Sequence, residues 1–163
     1  MNDTTDQRPI IVGVDGSAGS IDALRKGAEL AHALGAPLEA VTVWQFPALY
    51  DGSFVAANWS PEEDAKDVLV ATIAAAFPDG PPEGLKRSIV AGPAAAALLD
   101  LSADAAMIVV GSRGRGGFLG LLLGSVSTAC AQHARCPVLI MHATKPNTSS
   151  NGEKTSRSDA DGR

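Results

Sequence analysis

The chain has 163 residues, of which 45% are hydrophobic and 19% are charged, and its formal net charge is -5. This length and composition are typical of one soluble globular domain. The negative charge argues against a nucleic-acid binder, which needs a basic surface to neutralise phosphates. The apolar runs, such as AMIVV and PVLIM, are too short to cross a bilayer, and the polar start MNDTTDQRP lacks the apolar core of a signal peptide. We therefore expect a cytoplasmic protein with no membrane and no nucleic-acid partner.

The first part of the chain predicts a strand, a helix and a second strand. Residues 10–14 form a short apolar run rich in β-branched residues. In the next segment, SIDALRKGAELAHALGAP, apolar residues recur at helical spacing. Ser17 or Ser20 is expected to cap the start of this helix, and Gly35 ends it. Leu38–Trp44 is the second predicted strand, and the aperiodic segment QFPALYDGSFVAANWS after it is expected to be a long loop.

The middle of the chain predicts two more helices around a third strand. Ser60 and Glu63 have the spacing of a capping box, and Pro61 occupies the first position of a helix that stops before the next proline. Residues 85–92 form the third predicted strand. Pro93 begins a short helix in the segment PAAAALLDLSAD.

The last part predicts two strands, with a glycine-rich segment between them. Residues 105–111 form the fourth strand, and 136–142 form the fifth. The segment GSRGRGGFLGLLLGSVS lies between them and leads into a predicted helix over 125–134. The leucines of this segment have three interpretations, namely a lid, a subunit contact or packing against the sheet, and packing is the default.

These elements form one α/β domain over residues 9–143. Residues 1–8 are expected to be a flexible N-terminus, and 144–163, which contain no large apolar residue, a disordered polar tail. Because strands alternate with helices, the pattern favours a single open parallel sheet with helices on both faces. Such sheets bind ligands at the carboxyl ends of the strands, where the winding direction reverses.

The glycine-rich segment matches neither of two common phosphate-binding motifs. A Walker-type loop needs a lysine after its last glycine, and the sequence from 87 to 141 contains no lysine. A dinucleotide fingerprint needs three spaced glycines directly after the first strand, where the chain reads VDGSAGS. What the segment does contain is Gly111, two residues, Gly114, nine residues, and then Gly124 and Ser125.

That spacing resembles the nucleotide-binding motif of the universal stress protein family. The resemblance extends from IIVGVDGS through VAGPAAAALL to CPVLIMH and so covers nearly the whole predicted domain. It implies a Rossmann-like sheet with strand order 3-2-1-4-5. It also implies an adenine nucleotide ligand, ATP with or without Mg²⁺, and a homodimer formed through the last strand.

The resemblance also implies a role for each matching position. Asp15 would contact the ribose, and Val43 would offer its backbone to adenine. The implied phosphate-binding residues belong to the glycine-rich segment and the helix after it. Within this group, Gly111 and Gly114 would pass close to the ribose and first phosphates, and the outer phosphates would be held by Gly124, Ser125 and Val126. A helix start at Ser125 agrees with that assignment, because free amides and the helix dipole attract anions there.

Several of these residues also have simpler interpretations. Asp15 on its own would be read as a helix cap, and Arg113 and Arg115 either pair with phosphates or are solvated.

Cys130, His133 and Cys136 have a spacing that suggests a metal site, but these three residues cannot complete a tetrahedral site. Buried reduced thiols and a helix histidine are the expected alternative.

The function predicted from the sequence is binding rather than catalysis. No Ser-His-Asp set or carboxylate pair is recognisable, and Asp15 is the sole acidic candidate at the site. Phosphoryl transfer usually needs a metal held by carboxylates and a positioned base. We therefore expect an ATP-binding regulatory module for stress responses, with no catalytic residue and no protein-held metal. The alternatives are a slow ATP hydrolase of the same fold and a partner-binding module without nucleotide.

Overall fold

The computed structural model describes residues 8–46, 59–115 and 122–143, in which five strands alternate with four helices. In chain order these elements are β1 Ile10–Gly13, α1 Ala18–Leu34, β2 Leu38–Trp44, α2 Pro61–Ala76, β3 Lys86–Ala91, α3 Ala94–Leu101, β4 Met107–Gly111, α4 Ser125–His133 and β5 Val138–Met141.

The strands form one sheet in the order β3-β2-β1-β4-β5, and every pair is parallel. Both the α/β class and the strand order are therefore confirmed. The first and last strands are shorter than the apolar runs that predicted them. β1 ends at Gly13 rather than at residue 14, and β5 begins at Val138 because Pro137 and the residue before it lie outside the ladder.

Helices cover both faces of the sheet, and each face has its own core. Ile10 and Val12 of β1 pack in the core beneath α1 and α2, whereas Ile11 packs in the core beneath α3 and α4. All three side chains are at most 2% exposed. A central strand buried on both faces reads as a continuous apolar run, which is why β1 was recognisable from the sequence.

The helix ends follow local signals, with two corrections. Ser17 caps α1 by accepting a hydrogen bond from the Ser20 amide at 3.2 Å, and Gly35 ends the helix in the left-handed conformation with φ 62°. The predicted capping box of α2 is only half formed. Ser60 accepts from the Glu63 amide at 3.3 Å, but the Glu63 carboxylate accepts from Lys66 at 2.6 Å. The prediction that Pro93 begins α3 is off by one position, because Pro93 is the N-cap.

Some predictions fall outside the described residues. These are the polar tail over 144–163, nearly all of the flexible N-terminus over 1–8, and most of the long loop after β2. No helix of the described ranges is long and apolar enough to span a membrane.

Candidate functional site

The order of the strands creates a crevice between β1 and β4. The chain winds from β1 to β2 and β3 on one side and later returns to β4 and β5 on the other, so the loops that follow β1 and β4 diverge. A cavity of about 530 Å³ opens at this point. All seven residues predicted for the site border it: Asp15, Val43, Gly111, Gly114, Gly124, Ser125 and Val126.

Asp15 joins the two loops that form the crevice. Its Oδ1 accepts hydrogen bonds from the Ser17 amide at 3.0 Å and the Ser17 hydroxyl at 2.6 Å. Its Oδ2 accepts one from the backbone amide of Arg115 at 3.0 Å, 100 residues further along the chain. The interpretation of Asp15 as a helix cap is wrong, because Ser17 is the cap of α1. Asp15 instead holds the glycine-rich loop against the end of β1.

At Gly111 and Gly114, a Cβ would lie too close to other atoms of the protein. A Cβ on Gly111 would lie 2.9 Å from the carbonyl carbon of Gly19 in α1. A Cβ on Gly114 would lie 2.6 Å from Oδ2 of Asp15. Both distances are shorter than real Cβ contacts. The close packing of β4 on the backbone of α1 therefore requires glycine at position 111, whether or not a ligand is bound. At position 114 a side chain would displace the Asp15 carboxylate from its hydrogen bond with the Arg115 amide.

Gly124 differs from these two glycines. Beyond its two neighbours in the chain, the nearest atoms to a Cβ there would be the Arg113 Cα and the Ser112 carbonyl oxygen, both at 3.5 Å. Its backbone, with φ -77° and ψ 169°, is extended and open to any residue. Neither the packing nor the conformation of the described residues therefore requires glycine at position 124.

A pair of serines that the sequence analysis missed closes the base of the glycine-rich loop. The Ser112 carbonyl accepts hydrogen bonds from the Gly124 amide at 2.7 Å and from the Ser127 hydroxyl at 2.9 Å. Both serines are buried. The only available signal was the serine in the first turn of the predicted helix, since such hydroxyls commonly bond to nearby backbone groups.

The N-terminus of α4 points polar backbone groups at the cavity. The first intrahelical bond runs from the Thr128 amide to the Gly124 carbonyl, so the amides of Ser125, Val126 and Ser127 precede it and have no partner within the helix. These three residues border the cavity. The Gly124 cap supplies no side-chain acceptor for them. This end of the cavity is therefore suited to an anion.

The opposite end of the cavity is apolar, and Val43 is the only residue there that was predicted from the sequence. Its walls are formed by side chains from β2, β4 and α3, namely Val41, Val43, Val110, Ala94 and Leu98. Alternate residues of a strand face the same side. Val41 is two residues before Val43 on β2, and this spacing was the signal that could have identified more of the wall.

The backbone of Val43 also faces the crevice. The carbonyl of Val41 accepts a hydrogen bond from the Val14 amide, so it points towards β1. Alternate residues of a strand direct their backbone groups to the same side. The amide and carbonyl of Val43 therefore point towards β1 as well, beyond Gly13, where that strand ends.

The cysteines and histidine near α4 are not brought together into a cluster of metal ligands among the described residues. No group of three or more metal-ligating side chains occurs within the described ranges. Cys130 is 1% exposed, and burial, followed by the effect of nearby Cys136, raises the pKa of its thiol. Burial is also the main reason that the pKa of Cys136 is raised. Burial therefore favours the neutral thiol of both cysteines.

One leucine of the glycine-rich segment does not pack against the sheet. Leu122 is 85% exposed, so the default interpretation of packing is wrong at this position. The other apolar residues that precede it, among them Leu119 and Leu121, lie outside the described residues.

The chain is similar to proteins of one family. The model of the Universal stress protein family matches residues 7–142. A universal stress protein of Mycolicibacterium smegmatis is 34% identical over 134 residues, which cover 82% of this chain and 45% of the relative. The chain therefore spans less than half the length of that curated relative.

Solved structures of the same family share the fold. A universal stress protein in complex with cAMP is 27% identical, with a TM-score of 0.62 over 85% of this chain and 98% of that one. The universal stress protein from Archaeoglobus fulgidus in complex with dAMP is 23% identical, with a TM-score of 0.57 over 82% of this chain and 97% of that one. From the family match, the sequence identity and the shared fold, this chain belongs to the universal stress protein family.

Proposed function

We propose that this domain binds an adenine nucleotide, with ATP as the preferred ligand, and that it acts as a nucleotide-dependent binding module in a stress response. The observation that carries the proposal is the cavity between β1 and β4, which all seven predicted residues border. Its volume of about 530 Å³ lies in the usual range of small-molecule sites.

The apolar end of the cavity suits a purine base. Val43 and Ala94, which are partly exposed, offer surface for the flat ring to pack on, and the buried Val41 and Leu98 border the same cavity. The amide and carbonyl of Val43 provide one donor and one acceptor towards the edge of the base. The sugar then lies next to Asp15, and the phosphates extend towards α4.

The polar end of the cavity suits phosphates. The amides of Ser125 and Val126 precede the first intrahelical bond, and the dipole of α4 adds partial positive charge. The Ser125 hydroxyl supplies a further donor. The related protein solved with cAMP carries a ligand of the same class, which supports this proposal.

A magnesium ion fits this site only through the nucleotide. Among the described residues that border the cavity, Asp15 is the only one with a carboxylate, and both of its oxygens accept hydrogen bonds from the protein. Mg²⁺ commonly keeps several waters and takes the rest of its ligands from phosphates and one or two carboxylates. In this proposal the ion accompanies ATP through phosphate oxygens and water, with no cage of protein ligands.

Mass spectrometry of the protein purified without added ligand tests the proposal. We expect a bound species with the mass of an adenine nucleotide, released when the protein is denatured. If the purified protein carries none and added ATP, ADP and AMP leave its melting temperature unchanged, adenine nucleotide binding is ruled out.

The site is proposed to bind ATP without consuming it at an enzyme's rate. Because Asp15 is the only carboxylate in the described lining, and it is already hydrogen bonded, the site offers no free base to activate water. We expect phosphate release far below the median enzyme rate of about 10 per second. Steady release near that rate, abolished by Asp15→Asn, would instead establish the alternative, an ATP hydrolase.

The free edge of β5 supports a homodimer. Its residues Val138–Met141 are all apolar and half-buried, whereas the other edge strand, β3, begins with the exposed charged residues Lys86 and Arg87. Charged residues protect an edge from pairing, and an apolar edge without them tends to pair. We propose that two copies pair through β5 in the cytoplasm.

Ile140→Pro is expected to convert this dimer to a monomer. The carbonyls of Pro137 and Met141 bond to β4, so by alternation the amide of Ile140 points to the free edge. Proline removes that donor without removing a bond of the described sheet. Light scattering should show a monomer for Ile140→Pro and a dimer for Ile140→Ala, which keeps the amide. A folded Ile140→Pro that remains dimeric would place the interface elsewhere.

A further inference from the structure

The two arginines of the glycine-rich loop lie in different surroundings. Both are exposed, and both border the cavity. The Arg115 side chain extends towards α2. A Cβ built on Gly16 would lie 3.4 Å from the guanidinium carbon of Arg115 and 3.5 Å from Val68 of α2. Arg115 also borders the groove between α1 and α2, together with Val68. Its guanidinium therefore lies over the loop after β1.

Arg113 lies beside the N-terminus of α4. Its Cα would be 3.5 Å from a Cβ on Gly124, so its side chain starts next to the helix cap. Within the described ranges its guanidinium makes no hydrogen bond and no ion pair. A cation at the edge of a cavity, with no partner among the described side chains, is available to a ligand.

We propose that Arg113 selects nucleotides by the length of their phosphate chain, favouring triphosphates and diphosphates over monophosphates. This inference rests on the proposed function. A base held by the apolar wall extends its phosphates towards Gly124 and Ser125, where the outer phosphates come within reach of Arg113. A guanidinium donates two hydrogen bonds to a phosphate in a planar fork, so each phosphate that reaches it adds binding energy. A monophosphate ends before this point.

Arg115 has a different role in this account. Its backbone amide holds Asp15, and its guanidinium packs over Gly16. Loss of its side chain keeps the amide and leaves Arg113 in place. Arg115→Ala therefore serves as a matched control, since it removes the same charge from the same loop.

Titration calorimetry with ATP and AMP on both variants tests the inference. In Arg113→Ala, we expect ATP affinity to fall about 10-fold, because the variant loses a charge-assisted hydrogen bond whose energy is reduced by solvent exposure. We expect AMP affinity to fall less than about 3-fold. Arg115→Ala should change both affinities by the same factor. Added salt should weaken ATP binding more in the wild type than in Arg113→Ala.

The outcomes separate this inference from the proposed function. If the wild type binds neither ATP nor AMP, the proposed function fails and this inference fails with it. If the wild type binds both nucleotides and folded Arg113→Ala keeps the wild-type ratio of their affinities, only the role of Arg113 is overturned. If the ratio of ATP affinity to AMP affinity falls more in Arg115→Ala than in Arg113→Ala, the selection is assigned to Arg115. Thermal melts of the variants show whether each one is folded.

Discussion

Gly111→Ala is expected to destabilise the protein by about 3 kcal/mol, near the upper end of the usual cost of overpacking. The new Cβ would lie 2.9 Å from the Gly19 carbonyl carbon and 3.1 Å from the Ser20 amide nitrogen. Both atoms belong to the backbone of α1, so no side-chain rotation can relieve the contact. The end of β4 must move away from α1, and with it the part of the cavity that is proposed to bind phosphate. Urea denaturation without nucleotide measures this loss.

Gly124→Ala is the matched control for this prediction. The same added methyl group would lie 3.5 Å from its nearest neighbours, which is ordinary contact. We expect its stability to fall by no more than about 1 kcal/mol, since alanine is a poorer helix cap than glycine. If Gly111→Ala is as stable as Gly124→Ala, the approach of β4 to α1 is looser than described.

Gly124→Val is expected to abolish most ATP binding in a protein that remains folded. The described contacts leave room for a Cβ at this position, beside the Arg113 Cα and the Gly114 amide nitrogen. Because Gly124 borders the cavity at the start of α4, we expect the two further methyl groups of valine to narrow the part of the cavity proposed to bind phosphate. Two amide bonds to a charged phosphate contribute about 3 kcal/mol or more together, which corresponds to roughly 100-fold in affinity. Calorimetric titration with ATP and a thermal melt of the ligand-free variant measure the two quantities separately.

Ser125→Ala provides a graded comparison. It removes one hydroxyl donor but keeps the amide. The free energy of ATP binding should therefore weaken by on the order of 1 to 3 kcal/mol, the contribution of a hydrogen bond from that hydroxyl to a charged phosphate. Wild-type affinity in a folded Gly124→Val would mean that the loop serves packing or a partner protein.

The helices and strands were predicted well because their signals are local, whereas the strand order was implied by the resemblance to the family. Ser17, Gly35 and Pro61 each mark a helix end through a bond or a backbone angle that involves only nearby residues. The central strands β1 and β4 were recognisable because they are buried in the middle of the sheet and read as short apolar runs. The half-formed capping box at Glu63 shows the limit, because Lys66 competes for the same carboxylate.

The site was predicted only in part, because its geometry depends on residues far apart in the chain. The glycine spacing placed Gly111 and Gly114 at the cavity but assigned both to the ligand. Their neighbours show that packing on the backbone of Gly19 requires Gly111, and that Gly114 lies against the carboxylate of Asp15. Nothing in the spacing reveals that Leu98 of α3 reaches the same cavity. Such contacts follow from the order of strands and the packing of helices, not from a local pattern.

Titration of the nucleotide-free wild-type protein with ATP tests the central claim most directly. We expect saturable binding of one ATP per chain, and we expect Gly124→Val to weaken it roughly 100-fold while the melting temperature of the ligand-free protein stays nearly unchanged. A folded wild-type protein that gives no heat of binding and no thermal shift with ATP would contradict it.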